Sequence, residues 1–478
     1  MILLALVLVP AVVAALAYFL PAAFRAGLLV FAALAHLLLV AVLWATPGHR
    51  LWDGWLADDA LGRVILTIVS LLFLVLAHYA IGYLREENPR GGRAFVSCML
   101  GFLAAATLVC LSQHFALLWI GMETTTLAVA PLIYHRHDRR SLEAVWKYLV
   151  LSSVGIAFAL LGVFLLATAQ PASAGRPLVF GDMLANATAL DPVWLRAAFV
   201  FMLIGFGTKM GLAPLHSWKP DVYGEAPSLV GGLMAGALTS CAFLGLARVT
   251  AICFAAGAGP FVRPPLIGFG LLSVAIATAF IIGQGDIKRL LGYSSIEHMG
   301  LLSLALGLGG VGAYGAVLHT LNNALAKVMV FLAVGNVVLA CGTSSSGRIR
   351  GLMRTMPASG TLLVIGLFAI TGSPPFGMFL SEFTIIKAAI DQYPWIAVVL
   401  VVLLSIIFVG IASMILEMVY GERAEAGATA ATVGTERPWL VAAPAALAIL
   451  VLGLGVYMPA PLSDAIASAA EALGGRAP

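Results

Sequence analysis

The chain has 478 residues, 62% of them hydrophobic and 10% charged, with a mean hydropathy of +1.04. That composition excludes a soluble globular protein and points to helices crossing a membrane, the simplest way to satisfy so much apolar backbone in lipid. A net charge of +4 is too small to suggest a nucleic-acid partner.

Segments long enough to cross ~30 Å of hydrocarbon fall at about 2–22, 27–46, 63–84, 95–111, 114–134, 145–169 and 194–214. They continue at about 228–256, 264–283, 293–309, 312–341, 358–391, 394–420 and 437–460. The expected fold is an all-α polytopic membrane protein of about fourteen helices in a single membrane domain. The first segment (MILLALVLVPAVVAALAYFL) has no basic flank and reads as a membrane helix, not a cleaved signal. The five cysteines form no Cys-x-x-Cys or Cys/His cluster, so buried, inert thiols are expected and no metal or iron–sulfur site. No glycine-rich phosphate motif stands between a strand and a helix, so no nucleotide site is expected.

Basic residues give the orientation. Sixteen lie in the loops joining helices 1–2, 3–4, 5–6, 7–8, 9–10, 11–12 and 13–14, among them Arg90, Lys219 and Arg423. Seven lie in the alternate loops and the C-terminal tail, among them Arg176 and Arg248. The bias places both termini outside the cytoplasm. Asp53, Asp58 and Asp59 read as a solvated outside loop.

Helix 5 (LLWIGMETTTLAVAPL) carries Glu123 between apolar residues. Helix 7 carries Lys209 at a depth where insertion costs ~2.5–3.5 kcal/mol, with Gly211 and Pro214 following to break the helix. Membrane ionisable residues face the protein interior and pair, so Glu123 is the expected partner of Lys209. Glu297 and His298 stand near the start of helix 10, His298 being the stronger candidate. In helix 11, His319, Asn323 and Lys327 are spaced four apart and form one polar stripe, with Asn322 nearby. Such a stripe either lines a hydrated path or joins helices by hydrogen bonds. Helix 12 carries Thr371-Gly372-Ser373-Pro374-Pro375, a second break, followed by Glu382 and then Lys387. Glu417 reads as interfacial.

Paired breaks in two halves point to inverted repeats with an ion path at the breaks. The natural units are helices 4–8 (about 95–256) and helices 9–13 (about 264–420), preceded by helices 1–3 (about 1–84) and followed by helix 14 (about 437–460).

Several runs match a known family. Trp119-Ile-Gly-Met-Glu123-Thr-Thr-Thr, Gly207-Thr-Lys209-Met-Gly-Leu-Ala-Pro214-Leu-His216-Ser-Trp218 and Glu225-Ala-Pro227-Ser228 closely resemble the antiporter-like membrane subunits of respiratory complex I. So do Asp286-Ile-Lys-Arg-Leu-Leu-Gly-Tyr-Ser294-Ser-Ile-Glu-His298-Met-Gly300 and the stretch from Pro374-Pro375-Phe-Gly377 to Ser381-Glu382-Phe383. Within that family these runs look most like the F-type membrane component of hydrogenase-4-like complexes. The resemblance implies two inverted five-helix repeats and proton movement coupled to redox chemistry in other subunits. It implies a relay of Glu123, Lys209, Lys327 and Glu382, and no cofactor bound by this chain. The implied partners are other membrane subunits and peripheral hydrogenase-like or quinone-module subunits, in a bacterial inner membrane.

Two departures stand out. Where family members often have a helix 8 lysine, this chain has Ser240, so the link between helices 7 and 11 is expected to use water or Thr239, Ser240 and His298. The usual Leu-Pro-Asp-Ala-His is here Lys219-Pro-Asp221-Val222-Tyr223, lacking the histidine. Other readings remain: a sodium/proton antiporter subunit of a non-redox complex, a quinone-reducing complex I subunit, and a scaffold whose charges only hold helices together.

Overall fold

The computed structural model describes residues 1–87, 92–171, 178–422 and 436–477. Arg90, Arg176 and Arg423, counted in the orientation argument, lie outside the described residues.

Among the described residues, twelve helices are long and apolar enough to cross a membrane. In chain order these are helix 1 (Ile2–Phe19), helix 2 (Ala22–Ala45), helix 3 (Ala60–Glu87), helix 4 (Gly92–Leu111), helix 5 (Phe115–Ile133) and helix 6 (Arg139–Thr168). Helix 7 (Pro192–Met210) is followed by a short arm, Trp218–Glu225. Helix 8 runs as Ser228–Leu233, a π turn at Met234–Leu238, then Thr239–Ala255. Helices 9 (Gly259–Ile281), 11 (Val311–Cys341), 13 (Pro394–Tyr420) and 14 (Pro438–Val456) complete the twelve. Two further segments bring the crossings to the fourteen expected. Helix 10 (Ile287–Leu308) has its apolar character diluted by Lys288, Arg289, Glu297 and His298. Helix 12 is broken into Pro357–Ile370 and Gly377–Gln392. A helix not foreseen, Ala460–Glu471, packs against helices 3 and 11.

Caps decide where helices start, and they shift two expected boundaries. The Asp286 side chain accepts from the Lys288 and Arg289 N–H groups, so helix 10 begins at 287 instead of about 293. Glu297 and His298 are therefore mid-helix. Asp138 and Ser141 form a capping box that starts helix 6 at Arg139, six residues before the apolar run.

Three basic residues counted as loop residues are buried. Lys219 lies in the arm after helix 7, Lys288 in the first turn of helix 10 and Arg248 inside helix 8. One side of the basic-residue comparison loses two and the other loses one, and the bias stands. Arg248 pairs with Asp59 at 2.8 Å and donates to the Ser112 carbonyl. Asp58 is fully covered beside Arg63, so only Asp53 of the three acids is exposed.

Helices 8 and 11 form the centre. The most apolar stretch of helix 8 is 100% buried and that of helix 11 is 89% buried, against 33% for helices 1 and 2 and 28% for helix 13. His36 ties the outer helices in, bonding Ser70 of helix 3 and Thr107 of helix 4. Helices 6 and 7 approach closely over Gly155, Gly162 and Gly205, where a Cβ would overlap Thr208, Met202 and Ala159.

The connections sort into two faces. A cavity of about 540 Å³ is rimmed by Glu86, Asp138, Glu225, Asp286, Ser344 and Arg437, drawn from six loops. Those are the 3–4, 5–6, 7–8, 9–10, 11–12 and 13–14 connections. On the other face the 2–3 hairpin (Arg50–Leu51 paired with Leu56–Ala57) meets Ser112, and His114 meets Val179. Arg263 there donates to Leu308 O at 2.7 Å, and Gly310 pairs with Gly475 of the tail.

Candidate functional site

Lys209 occupies the last turn of helix 7, and its side chain is fully buried. The helix ends there because Gly211 adopts φ +77, a conformation glycine accepts without a Cβ clash. Lys209 Nζ donates to the hydroxyl of Thr126 on helix 5. The same Thr126 oxygen lies 3.3 Å from Glu123 Oε2, and Ser153 of helix 6 donates to Glu123 Oε1 at 3.0 Å. The Tyr148 ring lies 5.6 Å from Nζ. Glu123 and Lys209 thus belong to one cluster, but through an intervening hydroxyl and not as a direct ion pair.

The second cluster repeats this device. Lys327 of helix 11 is fully buried and donates to Ser294 Oγ at 2.6 Å. Ser294 lies 3.2 Å from Glu297 Oε2, three residues on in helix 10. Glu297, ranked below His298 from sequence, is therefore the carboxylate that shares a hydroxyl with Lys327.

From the same region a file of side chains runs towards helix 12. His298 Nδ1 and His319 Nε2 share a hydrogen bond at 3.2 Å, and His319 Nδ1 meets Ser381 Oγ at 3.0 Å. Ser381 also donates to Met378 O at 2.8 Å, and the backbone of Ile370 lies beside the His298 ring. Asn322 holds the second arm of helix 12 by donating to Gly377 O at 2.8 Å, while Asn323 Oδ1 is buried and unbonded.

Glu382 follows Ser381 and is 6% exposed, with Oε1 unpartnered. It borders a cavity of about 380 Å³ between helices 12 and 13, lined by Thr371, Phe379, Phe383, Leu404 and Phe408. The break at Gly372 (φ +62) creates its seat, since a Cβ there would overlap the carboxylate. Both breaks contain a cis proline bond, Ala213–Pro214 and Pro374–Pro375.

Helix 8 supplies less than expected. The Thr239 and Ser240 hydroxyls donate to Ala235 O and Gly236 O of their own helix, both at 2.6 Å. Lys387 is half-exposed with Asp391, and Glu417 pairs with Arg350 near the end of helix 13. Sequence reading missed Thr126, Ser294 and Ser381, since nothing in a run such as Thr124-Thr125-Thr126 tells which hydroxyl turns towards a lysine. It also missed Lys219, whose burial depends on the 7–8 connection folding back between helices.

Over residues 112–408 the sequence matches the transmembrane family described as NADH:quinone oxidoreductase/Mrp antiporter. It is 33% identical over 354 residues to the hydrogenase-4 component F homologue of Methylacidiphilum infernorum (isolate V4), covering 72% of this chain and 74% of that one. It is 30% identical over 429 residues to NADH-quinone oxidoreductase subunit N of Desulforudis audaxviator (strain MP104C), covering 87% and 82%. Among solved structures, a chain of respiratory complex I from Thermus thermophilus with bound Aureothin matches with a TM-score of 0.81 at 25% identity, covering 98% and 100%. A chain of the membrane-bound sulfane sulfur reductase, an archaeal respiratory membrane complex, has the same fold, with a TM-score of 0.87 at 23% identity over 98% and 97%.

Proposed function

Since the chain belongs to the NADH:quinone oxidoreductase/Mrp antiporter membrane family, we propose that it is the proton-translocating, antiporter-like membrane subunit of a complex I-like, hydrogenase-type redox complex. It is a multi-pass membrane protein that works with other membrane subunits. In this reading the electron transfer and its cofactors belong to peripheral hydrogenase-like partners, and this chain binds none. The bias of basic residues favours placing the face with the charged cavity in the cytoplasm and both termini in the periplasm of an inner membrane.

The observation that carries the reading is the pair of buried lysine–hydroxyl–carboxylate clusters, Lys209–Thr126–Glu123 and Lys327–Ser294–Glu297. A purely structural membrane helix gains nothing from a buried lysine, because an apolar side chain of similar volume avoids the desolvation cost. A lysine held through a hydroxyl keeps a hydrogen bond whether charged or neutral, which a proton carrier requires. Protons reach Lys209 near the helix 7 break, pass to Lys327 and its histidines, and leave by Glu382. The two inverted five-helix repeats are part of this proposal, with the breaks at Gly211 and Gly372 as their matching points.

The test uses the whole complex in inside-out vesicles, supplied in turn with hydrogen, formate or NADH, with a pH-sensitive dye reporting uptake. Glu123→Gln and Lys209→Ala are expected to abolish proton uptake while assembly and electron transfer continue. Unchanged uptake in both variants overturns the mechanism. Uptake that requires sodium instead assigns the chain to sodium/proton exchange.

A further inference from the structure

We propose that Lys219 is the ionisable group that joins the Lys209 and Lys327 clusters. This rests on the proton-translocating reading above and names the link which that reading leaves open.

The connection after helix 7 does not stay in the aqueous loop where its sequence suggests it belongs. Trp218 donates from Nε1 to Thr208 O at 2.9 Å, drawing the arm Trp218–Glu225 back against helix 7. Gly292 of helix 10 lets the same arm approach from the other side, since a Cβ there would stand 3.0 Å from Pro220 Cα. Lys219 is thereby buried to 0% exposure, with its stem lying over the helix break: a Cβ on Gly211 would meet its Cδ at 2.6 Å.

Its amine lies between backbone carbonyls adjacent to the two clusters. Nζ donates to Met210 O at 2.5 Å, the residue after Lys209, and reaches Ser295 O at 3.5 Å, the residue after Ser294. The Tyr223 ring lies 5.8 Å away. Among the described residues no carboxylate pairs with it. A lysine kept only for architecture would be expected to have a counter-charge, since removing an ammonium from water costs several kcal/mol unless it is paired. Two carbonyls and a ring can accept from the ammonium and, more weakly, from the neutral amine, so the seat holds both states. Such a seat suits a group that alternates between the two states.

The alternative links are weaker. The Thr239 and Ser240 hydroxyls are committed to their own helix and carry no charge in either state. Proton balance along the route is simple. The neutral Lys219 amine takes the proton that the Lys209 ammonium releases, then gives the same proton to the neutral Lys327 amine. Nothing is oxidised or reduced at Lys219.

The experiment compares Lys219→Met, Lys219→Arg, Lys219→Gln and the double variant Lys219→Met, Ser240→Lys in the intact complex in vesicles. Proton uptake per electron is read against the wild type in the same preparation. The expected result is loss of uptake in Lys219→Met with electron transfer retained, and recovery in the double variant, where a lysine is returned from helix 8. Wild-type uptake per electron in Lys219→Met overturns the proposal, as does a loss that the double variant fails to restore. If Lys219→Met does not assemble, the other single variants decide: loss of uptake both in Lys219→Arg, whose guanidinium does not release its proton, and in Lys219→Gln supports it, and wild-type uptake in either overturns it. A wild-type complex that takes up no protons would instead sink the proton-translocating reading itself, so the two failures are distinct.

Discussion

At the scale of single residues, the decisive groups are the hydroxyls between lysine and carboxylate. Ser294→Ala removes the contact that Lys327 makes and the one Glu297 receives. Each buried group left unsatisfied costs ~1–3 kcal/mol, more when charged. Ser294→Ala is expected to lower proton uptake several-fold with electron transfer intact, while Ser294→Thr preserves it; equal uptake in both would show the hydroxyl to be idle. Thr126→Val and Thr126→Ser form the matching pair in the first cluster. Glu123, Lys209 and Lys327 were legible from sequence because a lysine or glutamate in an apolar run announces itself by its cost. The hydroxyls were not, because serine and threonine are tolerated throughout membrane helices by bonding back to their own turn, as Thr239 and Ser240 do here.

At the scale of helices, the two breaks were legible from Gly and Pro, and their purpose is now visible. The first opens a slot for the Lys219 stem and the second a seat for the Glu382 carboxylate. Gly372→Ala adds a Cβ into that carboxylate at φ +62, where an L side chain is also strained by ~1–2 kcal/mol. It is expected to abolish proton uptake. Gly453→Ala in helix 14, where a Cβ meets open space, is the control and should leave uptake unchanged. Loss of uptake in both would mean that glycine replacement harms the bundle generally. Helix starts were less legible than helix middles. Asp286 and Asp138 begin their helices with polar caps ahead of the apolar run, so hydropathy alone places the boundary too late. That error is what hid the central position of Glu297.

At the scale of the whole molecule, the alternation of loops divides the chain into two faces, and sidedness can be read directly. In a cysteine-free background, Gly347→Cys and Asp53→Cys sit on opposite faces, both exposed. An impermeant maleimide is expected to label Gly347→Cys only from the cytoplasmic side and Asp53→Cys only from the other; the reverse pattern would invert the orientation. The apolar outer surfaces of helices 1, 2 and 13, the least covered in the bundle, are where lipid and neighbouring membrane subunits must lie. The broad architecture was legible because membrane segments are bounded by their own hydropathy. The fold-back of the 7–8 connection was not, because it is decided by contacts with helices 7 and 10 and not by its own composition.

The charged cavity has a further consequence. Its rim carries Glu86, Asp138, Glu225 and Asp286 against Arg136, Arg140, Lys288 and Arg437, four of each sign. Such a rim has no net field reaching into solvent, so it cannot act as a long-range attractor for cations. In the proton-translocating reading it serves as a collecting surface whose carboxylates would hand arriving protons along at short range. Screening by salt acts on distant charge, with a reach of ~8–10 Å near physiological ionic strength. Proton uptake by this face should therefore change little as ionic strength rises, whereas a rim stripped of two bases would make the rate fall with added salt.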